Sequence, residues 1–256
     1  MKKWMKLTAL VMALVMVLAM ATGCGSSGAA DAGDGSETAK LVVATSPDFP
    51  PFESLEGGDV VGIEVDIIKL VAEKLGMELD IQQMDFDSVI PGLQAGKFDV
   101  GMSGITVTEE RKANVDFSSV YFMAAQAIVV TADSDITCKA DLEGKKVSVQ
   151  TGTTAEDYCM ENGYEVLAFT ANNDAASALT GGKVDAWVVD NEVALAMAPQ
   201  LGLTVLEETM TTEPYAFAFQ KGSELTAAFN EALDALLADG TVEGIFDQYG
   251  VTYIAP

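Results

Sequence analysis

The sequence contains one arginine, Arg111, alongside thirteen lysines. It ends the run GMSGITVTEER at 101–111, just after a small polar segment that contains glycine. Arginine presents a planar fork that binds a carboxylate through two parallel hydrogen bonds, a geometry that the point charge of lysine cannot copy. Arg111 could instead form a surface ion pair with a neighbouring acid. Its place after this loop favours carboxylate binding.

Backbone donors for an anion are expected near the run QTGTT at 150–154. This run precedes a predicted helix, and the N–H groups of a helix start are free and lie at the positive end of its dipole. Thr153 or Thr154 could therefore help to bind an anion, or serve only as a helix N-cap.

The sequence has no histidine. This excludes Ser-His and Cys-His nucleophile systems and removes the commonest metal ligand. We therefore predict no catalytic residue, no cofactor and no metal site.

Alternating strands and helices must position these residues. The first unit is predicted as a strand at 41–44, a helix at 65–75, a strand at 78–83, a helix capped by Asp87 and running to Ala95, and a strand at 98–102. The second unit is predicted as a strand at 146–149, a helix at 154–161, a strand at 166–169, a helix at 174–179 and a strand at 186–189. This order predicts mostly parallel sheets with helices on their faces. Beyond it we predict a strand at 215–219 and helices at 225–239 and 241–249.

The two units share a motif, LQAGKFD at 93–99 and LTGGKVD at 179–185, at a constant offset of 86. We therefore predict two lobes of similar construction, lobe 1 at 40–124 plus 219–256 and lobe 2 at 125–218. The strand after each motif leads to a polar pair, Ser103-Gly104 or Asp190-Asn191. Ligands bind beyond the carboxyl ends of parallel strands, so two such facing edges predict a cleft. Strands around 125–130 and 215–219 would cross between the lobes as hinges.

The first 23 residues are typical of a secretion signal, with Lys2, Lys3 and Lys6 before an apolar run at 7–21. The small residues before Cys24 resemble a bacterial lipobox, in which the cysteine is lipidated. Ala21 stands where that pattern prefers leucine, and ordinary signal cleavage is the alternative. The segment 24–39 is rich in Gly, Ser, Ala and acid, which predicts a flexible linker.

The chain after the signal is strongly acidic. It holds 11 basic and 39 acidic residues, a net charge of −28. This excludes nucleic acid as a partner, because phosphate binding needs clustered Lys and Arg.

With Cys24 lipidated, Cys138 and Cys159 remain as an even pair, either as a disulfide or as two free thiols.

Several separate motifs together resemble the polar amino-acid-binding proteins of ABC importers, the type 2 periplasmic binding-protein family. They follow the family's order over nearly all of 40–249: PPFE, VGIEVDI, DFDSVIPGLQAGKFDVGMSGITVTEERK, DFSxxY, GKKVSVQTGTTAEDY and YAFAFQKGS. The resemblance implies an α/β fold of two lobes, each a mostly parallel sheet flanked by helices, joined by two hinge strands. It also implies a monomer that captures an amino acid by lobe closure and delivers it to a permease with a separate ATPase. The protein would be extracytoplasmic, anchored to the membrane through lipid at Cys24.

By this resemblance, Arg111 binds the ligand α-carboxylate with the Thr106 N–H and, from the other lobe, Thr153 or Thr154. Asp190 binds the α-ammonium together with the Gly104 carbonyl and the Thr106 hydroxyl, which matches the three donors of an ammonium group. Ser103 belongs to the same ligand-binding loop. Phe49 and Phe86 would enclose the stem of the ligand side chain, or they are simply core aromatics.

Selection of the ligand side chain is predicted at Ser46, Asp48, Gln150 and Val189. Family members that bind cationic amino acids often have an acid where Ser46 stands, so a strictly basic ligand is disfavoured. Gln150 can donate and accept, which favours a polar ligand such as glutamine, with arginine, lysine and cystine still open. The alternatives are an enzyme of the same fold, such as a cyclohexadienyl dehydratase, and a ligand-sensing partner of a receptor. We expect no enzymatic activity.

Overall fold

The computed structural model describes residues 39–256, so the predicted signal peptide, Cys24 and nearly all of the predicted linker lie outside the described residues. The elements follow in chain order: β1 (Lys40–Thr45), β2 (Asp48–Phe49), β3 (Glu53–Glu56), β4 (Asp59–Val61), α1 (Ile63–Leu75), β5 (Glu78–Gln83), α2 (Phe86–Gln94), β6 (Val100–Gly101), α3 (Glu109–Asn114), β7 (Val115–Phe117), β8 (Phe122–Ala124), β9 (Gln126–Thr131), a short 3-10 helix (Lys139–Leu142), β10 (Lys146–Gln150), α4 (Thr154–Glu161), β11 (Glu165–Phe169), α5 (Asn172–Thr180), β12 (Ala186–Asp190), α6 (Asn191–Leu201), β13 (Leu203–Thr209), β14 (Glu213–Tyr215), β15 (Ala218–Gln220), α7 (Leu225–Ala238) and α8 (Thr241–Gln248).

Two five-stranded sheets form the framework. The first has the order β5-β1-β6-β15-β7 and the second the order β11-β10-β12-β9-β13. Within the first sheet β1 is parallel to β5 and to β6, and within the second β10 is parallel to β11 and to β12. Helices α1 and α2 pack on the first sheet, and α4, α5 and α6 pack on the second. The predicted α/β fold of two lobes, each a sheet flanked by helices, is confirmed. Each sheet is mixed rather than mostly parallel, because two of its four strand pairings are antiparallel.

The chain crosses between the two sheets at β8 and β14, which pair with each other in antiparallel register. The predicted crossing strands were therefore misplaced. Strand β9 belongs wholly to the second sheet, and the predicted strand at 215–219 is two short strands in different sheets. An apolar run that stays buried shows no polar residue where it bends, so its pattern could not reveal this break. The predicted lobe limits, 40–124 plus 219–256 and 125–218, stay a prediction.

Aromatic side chains pack tightly around this crossing. The rings of Phe122 and Phe246 stack at 4.6 Å, and Phe52 meets Tyr215 at 5.2 Å. All four side chains are fully buried. Aromatic pairs at such distances add to the stability of a core, so the crossing strands are held against α8.

The repeated motif forms the same turn in both lobes. Gly96 and Gly182 have φ angles of 65° and 67°, the left-handed region that favours glycine. The Oδ2 atom of Asp99 accepts from the N–H of Val42 at 2.8 Å, and that of Asp185 accepts from Lys146 at 2.8 Å. Each carboxylate therefore ties the turn to a strand of its own lobe, β1 in the first and β10 in the second, and the predicted internal similarity is a structural one.

Several local predictions differ from the structure. Strand β6 covers only 100–101, and Asp87 does not cap helix α2, which begins one residue earlier after Asp85. The small antiparallel sheet β2-β3-β4 was missed because its strands are two to four residues long. Helix α6 and strand β13 were missed as well.

In the structure Cys138 and Cys159 are free thiols, with Cys159 buried. Between residues 39 and 256, no helix is long and apolar enough to cross a membrane.

Candidate functional site

A cavity lies between the two sheets. From the first lobe it is lined by predicted site residues Ser46, Phe49, Phe86, Ser103, Gly104, Thr106 and Arg111. From the second lobe it is lined by predicted site residues Gln150, Thr153, Thr154 and Asp190. The structure thus brings every predicted binding residue to one cavity, while their roles toward a ligand stay predictions. Asp48, Asn172 and Val189 line it too.

Arg111 spans the cleft. It lies in helix α3, where the Thr108 hydroxyl accepts from its backbone N–H at 3.1 Å. Its guanidinium donates from Nη1 to the Thr106 carbonyl and from Nη2 to the Gly152 carbonyl of the other lobe, each at 3.0 Å. The Cζ atom stands 5.6 Å from the centroid of the Phe86 ring. Within residues 39–256 no carboxylate forms an ion pair with Arg111, which argues against the alternative of a surface ion pair.

The start of helix α4 is capped as the sequence suggested. Thr153 is its N-cap: the hydroxyl accepts from the N–H of Glu156 at 3.3 Å and donates to the Gln150 carbonyl at 2.7 Å. The Thr154 hydroxyl accepts from the side-chain amide of Gln126 at 3.2 Å. Thr153 therefore both caps the helix and lines the cavity, so the two interpretations are compatible.

Asp190 ends strand β12 and stands at the N-cap position of α6, yet its side chain makes no capping hydrogen bond. Instead, the carboxylate accepts from the side-chain amide of Gln126 and from the hydroxyl of Tyr215. Burial raises the pKa of Asp190 well above its usual range, the negative charge of Glu213 adds to the rise, and the Tyr215 hydrogen bond opposes it. Such a carboxylate is suited to a cationic partner, because a positive charge would offset its loss of water.

Sequence reasoning missed Gln126 and Tyr215, the two residues that hold Asp190. Gln126 is a polar side chain in an otherwise apolar strand and is 1% exposed. A buried amide inside the run AAQAIVV was a signal that it has a specific hydrogen-bonding partner. Tyr215 gave no such signal, because a buried tyrosine in an apolar run looks like any core aromatic.

The other end of the cavity holds a second carboxylate, that of Asp48. It accepts from the backbone N–H of Asn172 at 2.7 Å and from the Ser46 hydroxyl at 3.1 Å. The Gln150 amide nitrogen lies 3.5 Å from both oxygens, and its amide oxygen accepts from Asn172 Nδ2 at 2.8 Å. Burial raises the pKa of Asp48, and these hydrogen bonds lower it in part. The sequence placed Asp48 among the residues that select the ligand side chain, without naming its partners, and gave no reason to consider Asn172.

No group of three or more Cys, Asp or Glu side chains in the described part of the chain is placed to hold a metal ion.

Two lobes of α/β construction, joined by paired crossing strands and closing on a polar cavity, define a type 2 periplasmic binding-protein fold. Residues 41–252 match the sequence profile of the bacterial extracellular solute-binding proteins, family 3. The chain belongs to this family.

The chain is similar to the arginine-binding extracellular protein ArtP of Bacillus subtilis (strain 168). The two are 36% identical over 251 residues, which cover 95% of this chain and 96% of ArtP. It is also similar to the solved structure of an ancestral arginine-binding protein bound to glutamine, with 42% identity and a TM-score of 0.79 over 83% of this chain and 98% of that one. The same kind of ancestral protein bound to arginine has 43% identity and a TM-score of 0.78 over 82% of this chain and 97% of that one.

Proposed function

We propose that this protein is an extracytoplasmic binding protein that captures a free amino acid between its lobes and delivers it to an ABC importer. The observation that carries the proposal is the charge arrangement of the cavity. It holds the guanidinium of Arg111 near the start of helix α4, and the buried carboxylate of Asp190 at the end of β12. A zwitterion presents the complementary pair, a carboxylate and an ammonium.

The α-carboxylate would be bound by Arg111 with N–H groups from Thr106 and from the Thr153–Thr154 helix start. In the structure, both hydrogen bonds of the Arg111 guanidinium go to neutral backbone carbonyls. A carboxylate offers the same fork two charge-assisted hydrogen bonds, which are stronger than bonds to neutral acceptors.

The α-ammonium would be bound by Asp190, with the Gly104 carbonyl and the Thr106 hydroxyl as neutral acceptors. Phe49 and Phe86 would enclose the ligand stem. Phe49 is 8% exposed and packs in the core with one edge on the cavity, whereas Phe86 is partly exposed. Both side chains line the cavity, which supports their proposed contact with the ligand stem.

For the ligand side chain, we propose a cationic amino acid, with glutamine as the second candidate. Residue 46 is a serine rather than an acid. The carboxylate of Asp48, two residues later, is half-buried and lies against Gln150 and Asn172. The named similarity to arginine-binding proteins favours the cation. Glutamine stays a candidate because Gln150 and Asn172 can both donate and accept, and because a similar ancestral protein is bound to it.

The first test is thermal unfolding of the purified protein, after unfolding and refolding to remove any bound ligand. The panel is the twenty amino acids with ornithine, cystine and prephenate. A ligand that binds only the folded state raises the melting temperature by an amount that grows with its concentration over Kd. We expect the largest rise with arginine or lysine. No rise with any amino acid contradicts amino-acid capture.

The enzyme alternative is tested in the same preparation by turnover of prephenate and arogenate. We propose that the protein binds its ligand without catalysis, because the proposed binding of a zwitterion already gives a role to both charged groups of the cavity, Arg111 and Asp190. Measurable elimination from either substrate would overturn this.

The ligand choice is tested with Asp48→Asn. This change removes the negative charge while keeping the shape, so arginine binding should weaken by about 2 kcal/mol or more, while glutamine binding changes little. Asp59→Asn is the matched control, because Asp59 is an exposed residue of strand β4 in the same small sheet. Equal effects on both ligands would contradict a role for Asp48 in selecting a cation.

The lipid anchor at Cys24 and the monomeric state are also proposals. Intact mass of the membrane-extracted protein should show a lipid-modified cysteine as the first residue, and the Cys24→Ala variant should lose the modification. Light scattering of the purified protein should give the mass of one chain. An unmodified N-terminus or a dimer mass would overturn the respective proposal.

A further inference from the structure

Two acidic side chains lie behind the wall of the cavity rather than in it. Glu53, in strand β3, and Glu64, the second residue of helix α1, are both completely buried. Neither lines the cavity, and ligand capture as proposed uses neither. Buried acids are rare unless they are paired or hydrogen-bonded, so this pair needs a physical explanation.

Glu64 holds the cavity wall from behind. Its Oε2 atom accepts from the backbone N–H of Gly104 at 2.9 Å, and its Oε1 atom accepts from the hydroxyl of Tyr121. Gly104 has φ 53°, and a Cβ atom there would lie 2.5 Å from the Phe49 ring. The loop is therefore tightly packed on its cavity side, and Glu64 fixes the orientation of its peptide from the other side.

The position of helix α1 is itself fixed by the chain next to Glu53. The N–H of Ile63 donates to the Pro51 carbonyl at 3.0 Å, and the N–H of Glu64 donates to the Phe52 carbonyl at 3.1 Å. These bonds satisfy free donors of the helix start. The segment at 51–53, the start of α1 and the Gly104 loop thus form one connected unit.

Glu53 differs from Glu64 because neither of its side-chain oxygens has a hydrogen-bond partner among the described residues. An ionised carboxylate without donors in an apolar interior is very costly, so such a group keeps its proton. The surroundings of Glu53 favour its proton on balance. Burial raises its pKa well above the usual range, the negative charges of Glu64 and then Asp48 add to the rise, and the nearby Ser103 side chain opposes it in part. Tyr121, the remaining titratable group nearby, is neutral because its own pKa is raised by burial and by Glu64.

We propose that Glu64 is a positioning residue for the Gly104 ligand-binding loop, and that Glu53, buried beside it without a hydrogen-bond partner, is protonated. This inference rests on the proposed capture of an amino acid at that loop. Glu64 accepts from Gly104 and Tyr121, while the neutral Glu53 adds no charge beside it. Loss of the Glu53 proton would place a buried negative charge next to the loop that Glu64 holds and would disturb that loop.

The first test replaces Glu64 with Gln. The amide can offer its oxygen to only one of the two donors, so either Gly104 or Tyr121 loses its acceptor. We expect the Kd for the amino acid found in the thermal screen to rise about tenfold, because the change removes one of the two hydrogen bonds that hold the loop. Glu73→Gln is the matched control, because Glu73 lies exposed on the same helix. Wild-type affinity in Glu64→Gln overturns the positioning role.

The second test addresses the proton. Glu53→Gln mimics the protonated acid, so its affinity at neutral pH should stay within about twofold of the wild type. As the pH rises through the raised pKa of Glu53, wild-type affinity should fall relative to the variant. Taking the ratio of the two affinities at each pH removes the titration of the ligand itself. A ratio that changes in the ordinary range of a glutamate, near about pH 4 to 5, shows that Glu53 is ionised at neutral pH and overturns the protonated Glu53.

A direct measurement needs no ligand. Carbon-13 NMR of the glutamate side-chain carboxyl groups should show one resonance that titrates well above the usual range and is missing in Glu53→Gln. Its absence from the wild-type spectra overturns the inference even if Glu64→Gln does not fold. If the wild type binds no amino acid, the proposed function fails; if it binds and these variants behave as wild type, only the present inference fails.

Discussion

At the scale of single residues, the cavity holds charges that the protein itself leaves incompletely paired. The Arg111 guanidinium donates to two neutral backbone carbonyls, and Asp190 accepts from an amide and a phenol. Burial lowers the pKa of Arg111 and raises the pKa of Asp190, so it disfavours the charged form of both groups. A ligand that brings the opposite charges to both would bind tightly for this reason.

Arg111→Ala is expected to weaken amino-acid binding by about 2–5 kcal/mol, because the ligand carboxylate would be left in the cleft without its charged partner. Arg111→Lys should recover only part of this, since lysine cannot form the two parallel hydrogen bonds. Isothermal titration calorimetry measures both. Lys112→Ala is the control, because Lys112 is an exposed neighbour paired with Glu109 at 2.9 Å. Unchanged affinity in Arg111→Ala would rule out the carboxylate assignment.

Asp190 predicts a pH dependence. Its folded-state pKa is raised well above the ordinary value, so the stability contributed by the neutral form is present at low pH and is lost as the pH rises through that pKa. The ammonium of the ligand needs the ionised form. Binding should therefore release a proton below that pKa, and affinity should increase as the pH rises through it.

Calorimetry in buffers with different ionisation enthalpies measures this proton release. In Asp190→Asn the buffer-dependent heat from this group should vanish, and affinity should be much weaker. Equal heats in all buffers for the wild type would show that Asp190 is already ionised without ligand.

At the scale of elements, loops at the ends of strands and helices bring the lobes together. The loop between β10 and α4 reaches across the cleft, where the Gly152 carbonyl accepts from Arg111. On the same side, a Cβ atom on Gly152 would lie 3.1 Å from Cβ of Asp87 in helix α2. The glycine therefore permits a close approach between the lobes, in addition to its φ of 77°.

Gly152→Ala is expected to weaken ligand binding, because the added methyl group meets Asp87 only when the lobes are closed. Gly144→Ala is a matched control from the same lobe, since Gly144 has φ 72° with nothing within 4 Å of the added atom. Both variants should lose about 1 kcal/mol of stability from the left-handed backbone. Only Gly152→Ala should bind ligand more weakly. Equal affinity in the two variants would contradict a closure contact at this position.

At the scale of the whole molecule, the paired strands β8 and β14 connect two lobes that both contribute to the cavity. The Met123 N–H of β8 also donates to the Ile254 carbonyl at 3.0 Å, so the C-terminal segment braces one crossing strand. A ligand that contacts both lobes stabilises the closed arrangement over the open one by the difference in its contacts. We expect closure to be a movement about β8 and β14.

Small-angle X-ray scattering should show a smaller radius of gyration when the refolded, ligand-free protein is saturated with its amino acid. In Asp190→Asn, the same ligand concentration should leave the scattering close to that of the ligand-free state. No change in the wild type at saturation would mean that binding does not close the lobes.

Local patterns predicted the regular elements well where the element is long and its periodicity is clear. Helix α4 was predicted at its observed limits, and β5 and α7 to within one residue. Apart from the missed α6 and β13, the errors fall on short or bent segments, namely β6, the hairpins at 48–61 and the run at 215–220. There the fold is decided by partners far along the chain, because two or three residues carry too little pattern to define a strand.

The sequence alone determined the family resemblance, the two similar lobes and a set of site residues that all reach one cavity. It could do so because turn glycines, helix starts and strand ends obey local rules. The tertiary structure decided the contacts that give these residues their charge states. Asp48 meets Asn172 at a separation of 124 residues, Asp190 meets Gln126 at 64, and Glu64 meets Gly104 at 40. Sequence spacing predicts contacts only between residues on neighbouring turns of the chain. Hydrogen bonds between lobes and layers depend on how the whole chain packs.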